Sequence, residues 1–268
     1  ALERSEAAIG TTLGDYTQPT IATLYLKGGI LATNATRTSP VKNPIVVDGA
    51  AGLGHLSTTN NVASVVMEFD TDSLVGASGS LTISNLNSGT GNTVFRPLFT
   101  GKNFNFGLPI TIASPTGTGS NIKSNELGLG NTSDTQTFSG AISGGGSLRR
   151  TNAGGTTVLT GANTYSGGTF VDDGTLTANG PSALGTGDVT VAGGILSLLN
   201  SNSIANAATL SIASPGIVNL ASGVNEVLAG LVLGGIPQSN GTYGSTISSA
   251  TFQNDTYFSG AGILTITP

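Results

Sequence analysis

Three carboxylates within five residues, Glu68-Phe69-Asp70-Thr71-Asp72, are the densest chemistry in the chain. On a strand, Glu68, Asp70 and Asp72 project from one face, with Met67 and Phe69 on the other. Like charges this close repel, and a hard, oxygen-seeking cation such as Ca²⁺ would relieve them. The same row would suit the acid cluster of a polysaccharide lyase. The plainest reading is a solvated strand face whose charges discourage edge pairing.

The other candidates are thinner. Asp172-Asp173-Gly174 reads as a turn whose carboxylates accept backbone N–H groups. His55 is the single histidine, too few for a histidine metal site. No Gly-x-Ser-x-Gly elbow accompanies it. Gly128-Leu129-Gly130 and Gly144-Gly145-Gly146 open no strand-to-helix unit, so they are not dinucleotide loops. The calcium-binding nonapeptide Gly-Gly-x-Gly-x-Asp is missing. Arg149-Arg150, the basic pair, is expected at an exposed corner. Tyr165, Tyr243, Tyr257 and Phe258 have the ring faces that stack on sugars, though Tyr165 is expected at a coil corner. Thr-x-Thr pairs at Thr175/Thr177 and Thr265/Thr267 are too few for a face that orders water. The chain is therefore read as a non-enzyme, with no catalytic residues and no cofactor beyond Ca²⁺ at Glu68, Asp70 and Asp72.

Composition narrows the class further. The chain has 268 residues, 9% of them charged, with a net charge of −5. So acidic a balance gives no basic face for nucleic acid. Without cysteine there is neither a disulfide framework nor a thiolate zinc site. Glycine takes 41 positions, about twice the usual share. No stretch reaches the roughly 18 apolar residues of a membrane helix. A start at Ala1, with Thr, Ser, Asn and Gly abundant and cysteine missing, suits a chain secreted to the exterior or surface of a bacterium.

The elements that must carry these residues are short strands. Ile45-Val46-Val47, Val65-Val66-Met67, Leu81-Thr82-Ile83, Ile110-Thr111-Ile112 and Val189-Thr190-Val191 are β-branched runs bounded by turn formers. Only Leu2–Ile9, ahead of Gly10, carries helix formers. A longer period runs through the second half. Gly174-Thr175-Leu176, Gly194-Ile195-Leu196 and Gly216-Ile217-Val218 recur after 20 and then 22 residues, each behind another short strand. A repeat of that length with Gly and Asn corners describes one coil of a parallel β-solenoid. Wound at about 20 residues throughout, the chain would make about 13 coils at ~4.8 Å each. A β-sandwich is the competing architecture. The organisation expected is a cap or subunit-exchange arm over 1–22, an irregular β-rich region with early coils over 23–124, and a solenoid over 125–268.

Residues 158–178 sharpen that expectation. Leu159-Thr160-Gly161, Asn163-Thr164-Tyr165-Ser166-Gly167-Gly168-Thr169 and Gly174-Thr175-Leu176 resemble the autotransporter-associated β-strand repeat. Phe138 to Leu148 resembles its lead-in. Asn240 to Gly244 and Phe258 to Ile266 resemble the terminal segment of large repeat-bearing surface proteins. The resemblance implies a right-handed parallel β-helix passenger that is exported and displayed, serving adhesion or surface structure.

A solenoid ends in unpaired backbone groups that must be capped or shared. The apolar strand Gly262 to Thr267 carries no charged cap. Leu2, Ile9, Ile263, Leu264 and Ile266 are therefore the expected subunit contacts of a secreted structural protein that self-assembles head-to-tail into a fibre or surface layer. The alternative is an adhesin-like passenger that binds surface glycans; a polysaccharide-active enzyme is the third reading.

Overall fold

A computed structural model describes Glu6–Ala8 and residues 23–33, 40–55, 64–71 and 73–267. The described chain is all β, with no helix. The first strands are β1 (Glu6–Ala8), β2 (Leu24–Leu26), β3 (Gly29–Thr33), β4 (Ile45–His55), β5 (Ser64–Phe69), β6 (Leu74–Asn85), β7 (Thr93–Phe99), β8 (Phe104–Phe106) and β9 (Ile110–Ile112). Next come β10 (Lys123–Leu129), β11 (Thr135–Phe138), β12 (Ile142–Ser143), β13 (Ser147–Arg150), β14 (Thr156–Leu159), β15 (Thr169–Val171), β16 (Thr175–Ala178), β17 (Val189–Val191) and β18 (Ile195–Leu198). The last are β19 (Thr209–Ile212), β20 (Ile217–Leu220), β21 (Asn225–Leu228), β22 (Gly230–Leu233), β23 (Ile236–Pro237), β24 (Gly241–Gly244), β25 (Phe252–Gln253), β26 (Phe258–Ser259) and β27 (Ile263–Ile266).

Successive strands do not pair with each other; they pair with their counterparts one turn away. The first side stacks β5, β7, β10, β13, β15, β17, β19 and β22, and the second stacks β8, β11, β14, β16, β18, β20 and β26. The third side begins with β1, β3, β4, β6, β9 and β12 and ends with β21 and β27. Among the described strands only β22–β23 and β24–β27 pair antiparallel. That excludes the sandwich and gives a parallel stack of the β-solenoid kind.

Period-two alternation sends every second side chain inward, and the parallel register lines them up. One core column runs Leu129, Arg150, Val171, Val191, Ile212, Leu233. A second runs Phe138, Leu159, Ala178, Leu198, Leu220. Each fully buried Val, Leu or Ile contributes roughly 1.5–3 kcal/mol, so every added turn helps to support its neighbours.

Turn length divides the molecule. Thr175, Ile195 and Ile217 are partners in successive turns, so the 20- and 22-residue period of the sequence is the turn length. Earlier turns are longer: Ser64 pairs with Val94, and Val94 with Ser124, at 30-residue spacing. The expected 13 uniform coils are thus too many. The added length lies in β4 and β6, of 11 and 12 residues, which bend at stacked Gly49 and Gly79 (φ +121 and +87), and in longer corners.

Both ends differ from the sequence expectation. Glu6–Ala8 form a strand in parallel register with Ile30–Ala32, not a helical turn; Leu2 and Ile9 lie outside the described residues. At the other end β27 is an interior strand, paired with β21 on one edge and β24 on the other. Leu264 and Ile266 are buried in the chain's own core and Ile263 is half-buried. Leu264 and Ile266 therefore pack in the chain's own core, on a strand with both edges paired, and not on the open edge that the sequence suggested. The segment between β22 and β26 folds back over this end and supplies β24, a partner strand that sequence reasoning assigned to another copy.

Candidate functional site

The repeat-like segment is one turn of the stack, and its residue types follow from that. Leu159, Val171, Leu176 and Ala178 point inward and are fully buried. Asn163, also buried, ties three turns together. Its Oδ1 accepts the Ile142 N–H at 2.8 Å, its Nδ2 donates to the Ala183 carbonyl at 2.6 Å, and its own N–H reaches the Ser182 carbonyl at 3.1 Å. These bonds continue the third side where regular strands pause between β12 and β21.

Tyr165 is wholly buried. Its hydroxyl lies 2.6 Å from Thr169 Oγ1, which in turn donates to the Leu184 carbonyl at 3.1 Å. Burial pushes the phenol pKa up, against the hydrogen bond with Thr169. Tyr243 and Phe258 are likewise buried and Tyr257 is half-buried, so the stacking platform expected from these rings does not form.

Arg150 is the clearest departure. It occupies a core column with no exposed surface, whereas the sequence expectation was an exposed corner. The signal was present: in Ser147-Leu148-Arg149-Arg150, strict alternation sends Arg150 the way of Leu148. Its guanidinium donates to carbonyls of Asn131 (3.0 Å), Asn152 (3.1 Å), Gly154 (2.7 Å) and Gly155 (3.2 Å), and to that of Thr151. Longer contacts reach Leu129 and Thr175. The corners after β10 and β13 leave carbonyls that no ladder satisfies, and one buried cation gathers them. Desolvation lowers the Arg150 pKa to about 10, against the pull of Asp173. A side chain at Gly174 (φ +64) would strike this guanidinium, and one at Gly194 (φ +64) would strike the Gly174 carbonyl. Nearby, Gln136 and Thr157 share a buried hydrogen bond at 3.1 Å, and Gln136 donates to the Phe99 and Gly101 carbonyls.

On the outer face of the first side, charges link four successive strands or their corners. Arg96 pairs with Glu126, Glu126 with Arg149 at 2.9 Å, and Arg149 with Asp172 at 2.6 Å. The Arg149 guanidinium sits 4.5 Å over the Phe170 ring. Each formal charge has an opposite neighbour, so the row stitches turns together and leaves no bare charge to recruit an ion.

The acidic cluster is more dispersed than its spacing suggested. Met67 and Phe69 face the core and Glu68 faces out, as alternation requires. Glu68 accepts from the Thr100 hydroxyl at 2.9 Å, and Asp70 lies 3.9 Å from Lys42. Asp72 lies outside the described residues. Among the described residues no three His, Cys, Asp or Glu side chains come together. His55 is buried, its Nδ1 3.2 Å from Asn85 Oδ1.

Glu226 was not foreseen. Fully buried on β21, it accepts the N–H groups of Ser203 and Ile204 at 3.1 Å each. Burial raises its pKa to about 7, against these hydrogen bonds. It does for the last turns what Asn163 does earlier, using a carboxylate in place of an amide.

These features define a parallel β-stack whose polar interior serves cohesion and whose corners are shaped by glycine. Residues 154–178 match the family described as Passenger-associated-transport-repeat. The matched stretch runs from the corner before β14 to the end of β16, one turn of the stack, and is consistent with an autotransporter passenger β-repeat. No curated protein and no solved structure matches the chain. No helix among the described residues is long and apolar enough to cross a membrane.

Proposed function

We propose that this chain is a surface-displayed passenger segment acting as a short, rigid, non-enzymatic rod. The observation that carries the reading is the continuous parallel core, closed at its C-terminal end by β23 and β24. Eight stacked strands at ~4.8 Å give the first side a length of roughly 35 Å. The buried polar groups support a structural role because they are spent on neighbouring turns. Glu68 and Asp70 engage Thr100 and Lys42, so the reading needs neither Ca²⁺ nor a catalytic carboxylate pair.

Head-to-tail assembly required a bare apolar strand at the C-terminal end. With both edges of β27 occupied, a monomeric rod is the reading proposed. Small-angle scattering with sedimentation on the purified chain tests it. A concentration-independent, elongated monomer is expected. Filaments in electron micrographs would overturn it and restore the polymer. Added EGTA is expected to leave the melting temperature unchanged.

A further inference from the structure

The molecule shows how little chain one of its corners needs. Between β12 and β13, the turn from the third side to the first takes three residues, Gly144–Gly146. One turn earlier the same corner takes ten, 113–122, and the turn before that takes seven, 86–92. Stacking does not require the excess, since the next turn pairs in register without it. Loops inserted at one corner of successive repeats form a common surface, commonly the binding one.

The two loops are held in place. The Ile122 N–H donates to Asn92 Oδ1 at 2.7 Å, and the Thr93 N–H to the Ile122 carbonyl at 2.9 Å. Thr116 and Lys123 exchange backbone hydrogen bonds at 3.0 and 2.8 Å. Asn125, buried below, donates to the Ala113 carbonyl at 2.9 Å, while its Oδ1 has no partner among the described groups. Lys123, also buried, turns its ammonium to the Gly91 carbonyl. Above this base, residues 114–121 are exposed without interruption, and Ser88, Thr90 and Asn92 are exposed on the neighbouring loop. Neither loop contains an ionisable side chain.

Hydroxyls and amides that both donate and accept, held on a fixed base, match a partner made of hydroxyls. A net charge of −5 disfavours a polyanion. We propose that the crest formed by loops 86–92 and 113–122 binds a neutral glycan along one edge of the rod. With no aromatic residue in either loop, each contact is weak, and display of many copies supplies avidity. The inference rests on the surface-display reading and is separable from it.

The test uses the full chain, coupled at high density to beads and offered immobilised glucan, mannan, galactan and chitin beside polygalacturonate and heparin. At least one neutral polysaccharide should be retained. Replacing residues 114–121 with three glycines, to copy the short corner, should lower retention at least tenfold. The paired substitutions Thr116→Glu and Thr118→Glu should do the same with the loop length intact, and they decide the matter if the shortened chain fails to fold. Retention of only the acidic polymers, retention of none, or equal retention by these variants would overturn the proposal. Scattering from the same proteins before coupling reports the rod separately, so a native chain that retains no neutral glycan while remaining an elongated monomer refutes the crest alone.

Discussion

The turns before β10 and those after β13 solve the same problem with different material. The early turns are about 30 residues long and fill their width with aromatic rings. Phe69 stacks on Phe99 at 5.2 Å, and Phe99 meets Phe138 edge-on at 6.1 Å, as does Phe104 at 5.6 Å. The later turns are about 21 residues long and filled by Leu, Val and Ile, with side-chain bonds from Asn163 and, on β21, Glu226 joining turns on the third side. Parallel pairing fixes the rise per turn but not the perimeter, so turns of unequal length can share one ladder. The mismatch is absorbed at the junction, where the five-residue corners after β10 and β13 give way to three residues after β15. Arg150, Gln136 and Thr157 are buried there because the corners leave carbonyls that a narrower turn would not have.

If that account of the junction is right, Arg150 is the most sensitive residue in the molecule. Arg150→Ala removes the donor from several buried carbonyls at once, and about 4 kcal/mol of destabilisation is expected. Arg150→Lys should recover only part of it, since an ammonium has three donors and no planar fork. Urea titration would show this as a fall in midpoint. A loss below about 1 kcal/mol would mean that the two regions meet without strain and that the cation is incidental.

The later region should also respond to pH. Glu226 has its carboxyl raised from 4.5 to about 7 by burial. The folded chain then holds a proton that the unfolded chain has released. The stabilisation is complete below pH 4.5 and is lost as pH rises through about 7, with a ceiling of about 3 kcal/mol. Asp255 works in the opposite sense: the Thr246 N–H and hydroxyl hold its carboxyl below the ordinary range, so its contribution is lost only in acid. Melting curves from pH 5 to 8 should slope downward for the native chain and flatten for Glu226→Gln. Hydrogen exchange should place the softening at β21 and β27. A flat native profile would remove Glu226 from this role.

Two glycines with nearly the same backbone test whether the tight corners are what separates the regions. Gly194 (φ +64) has the Gly174 carbonyl where a side chain would go, while Gly119 (φ +60), in the long loop 113–122, has open space. Gly194→Ala should cost on the order of 2 kcal/mol or more, because the left-handed backbone and the collision add. Gly119→Ala should cost about 1 kcal/mol, the backbone term alone. Equal effects would mean that corner packing contributes nothing beyond φ.

The later region was the legible one. A period read from Gly174, Gly194 and Gly216 is visible because each turn there carries two short strands and a three- or four-residue corner. The earlier turns hid their period because β4 and β6 run through a corner as single strands, and the corner loops differ in length. The convergence of Phe99, Phe104 and Phe106 on Phe138 was hidden too, because it depends on register between turns. The closing of the C-terminal end was also out of reach. Whether Leu264 and Ile266 meet another copy or the chain's own β24 depends on an antiparallel pairing formed at a distance. Alternation did place Glu68 outside and Met67 inside, and it would have placed Arg150 inside had charge not been given more weight than period.

The smallest effect is expected at Asp70, where sequence spacing promised most. Its carboxylate lies 3.9 Å from the Lys42 ammonium, and both side chains are about half exposed, 42% and 56%. Exposed pairs of this kind are worth a few tenths of a kcal/mol and are screened by salt. Asp70→Asn should therefore shift the urea midpoint by less than the equivalent of about 0.5 kcal/mol, and raising salt should erase even that. Melting with and without added Ca²⁺ sharpens the result. If the native chain gains several degrees from Ca²⁺ and Asp70→Asn does not, the carboxylate row binds metal, and the early region has a site as well as a width. If neither responds, the row is the solvated strand face that alternation alone requires, and the contrast between the regions is one of packing and perimeter.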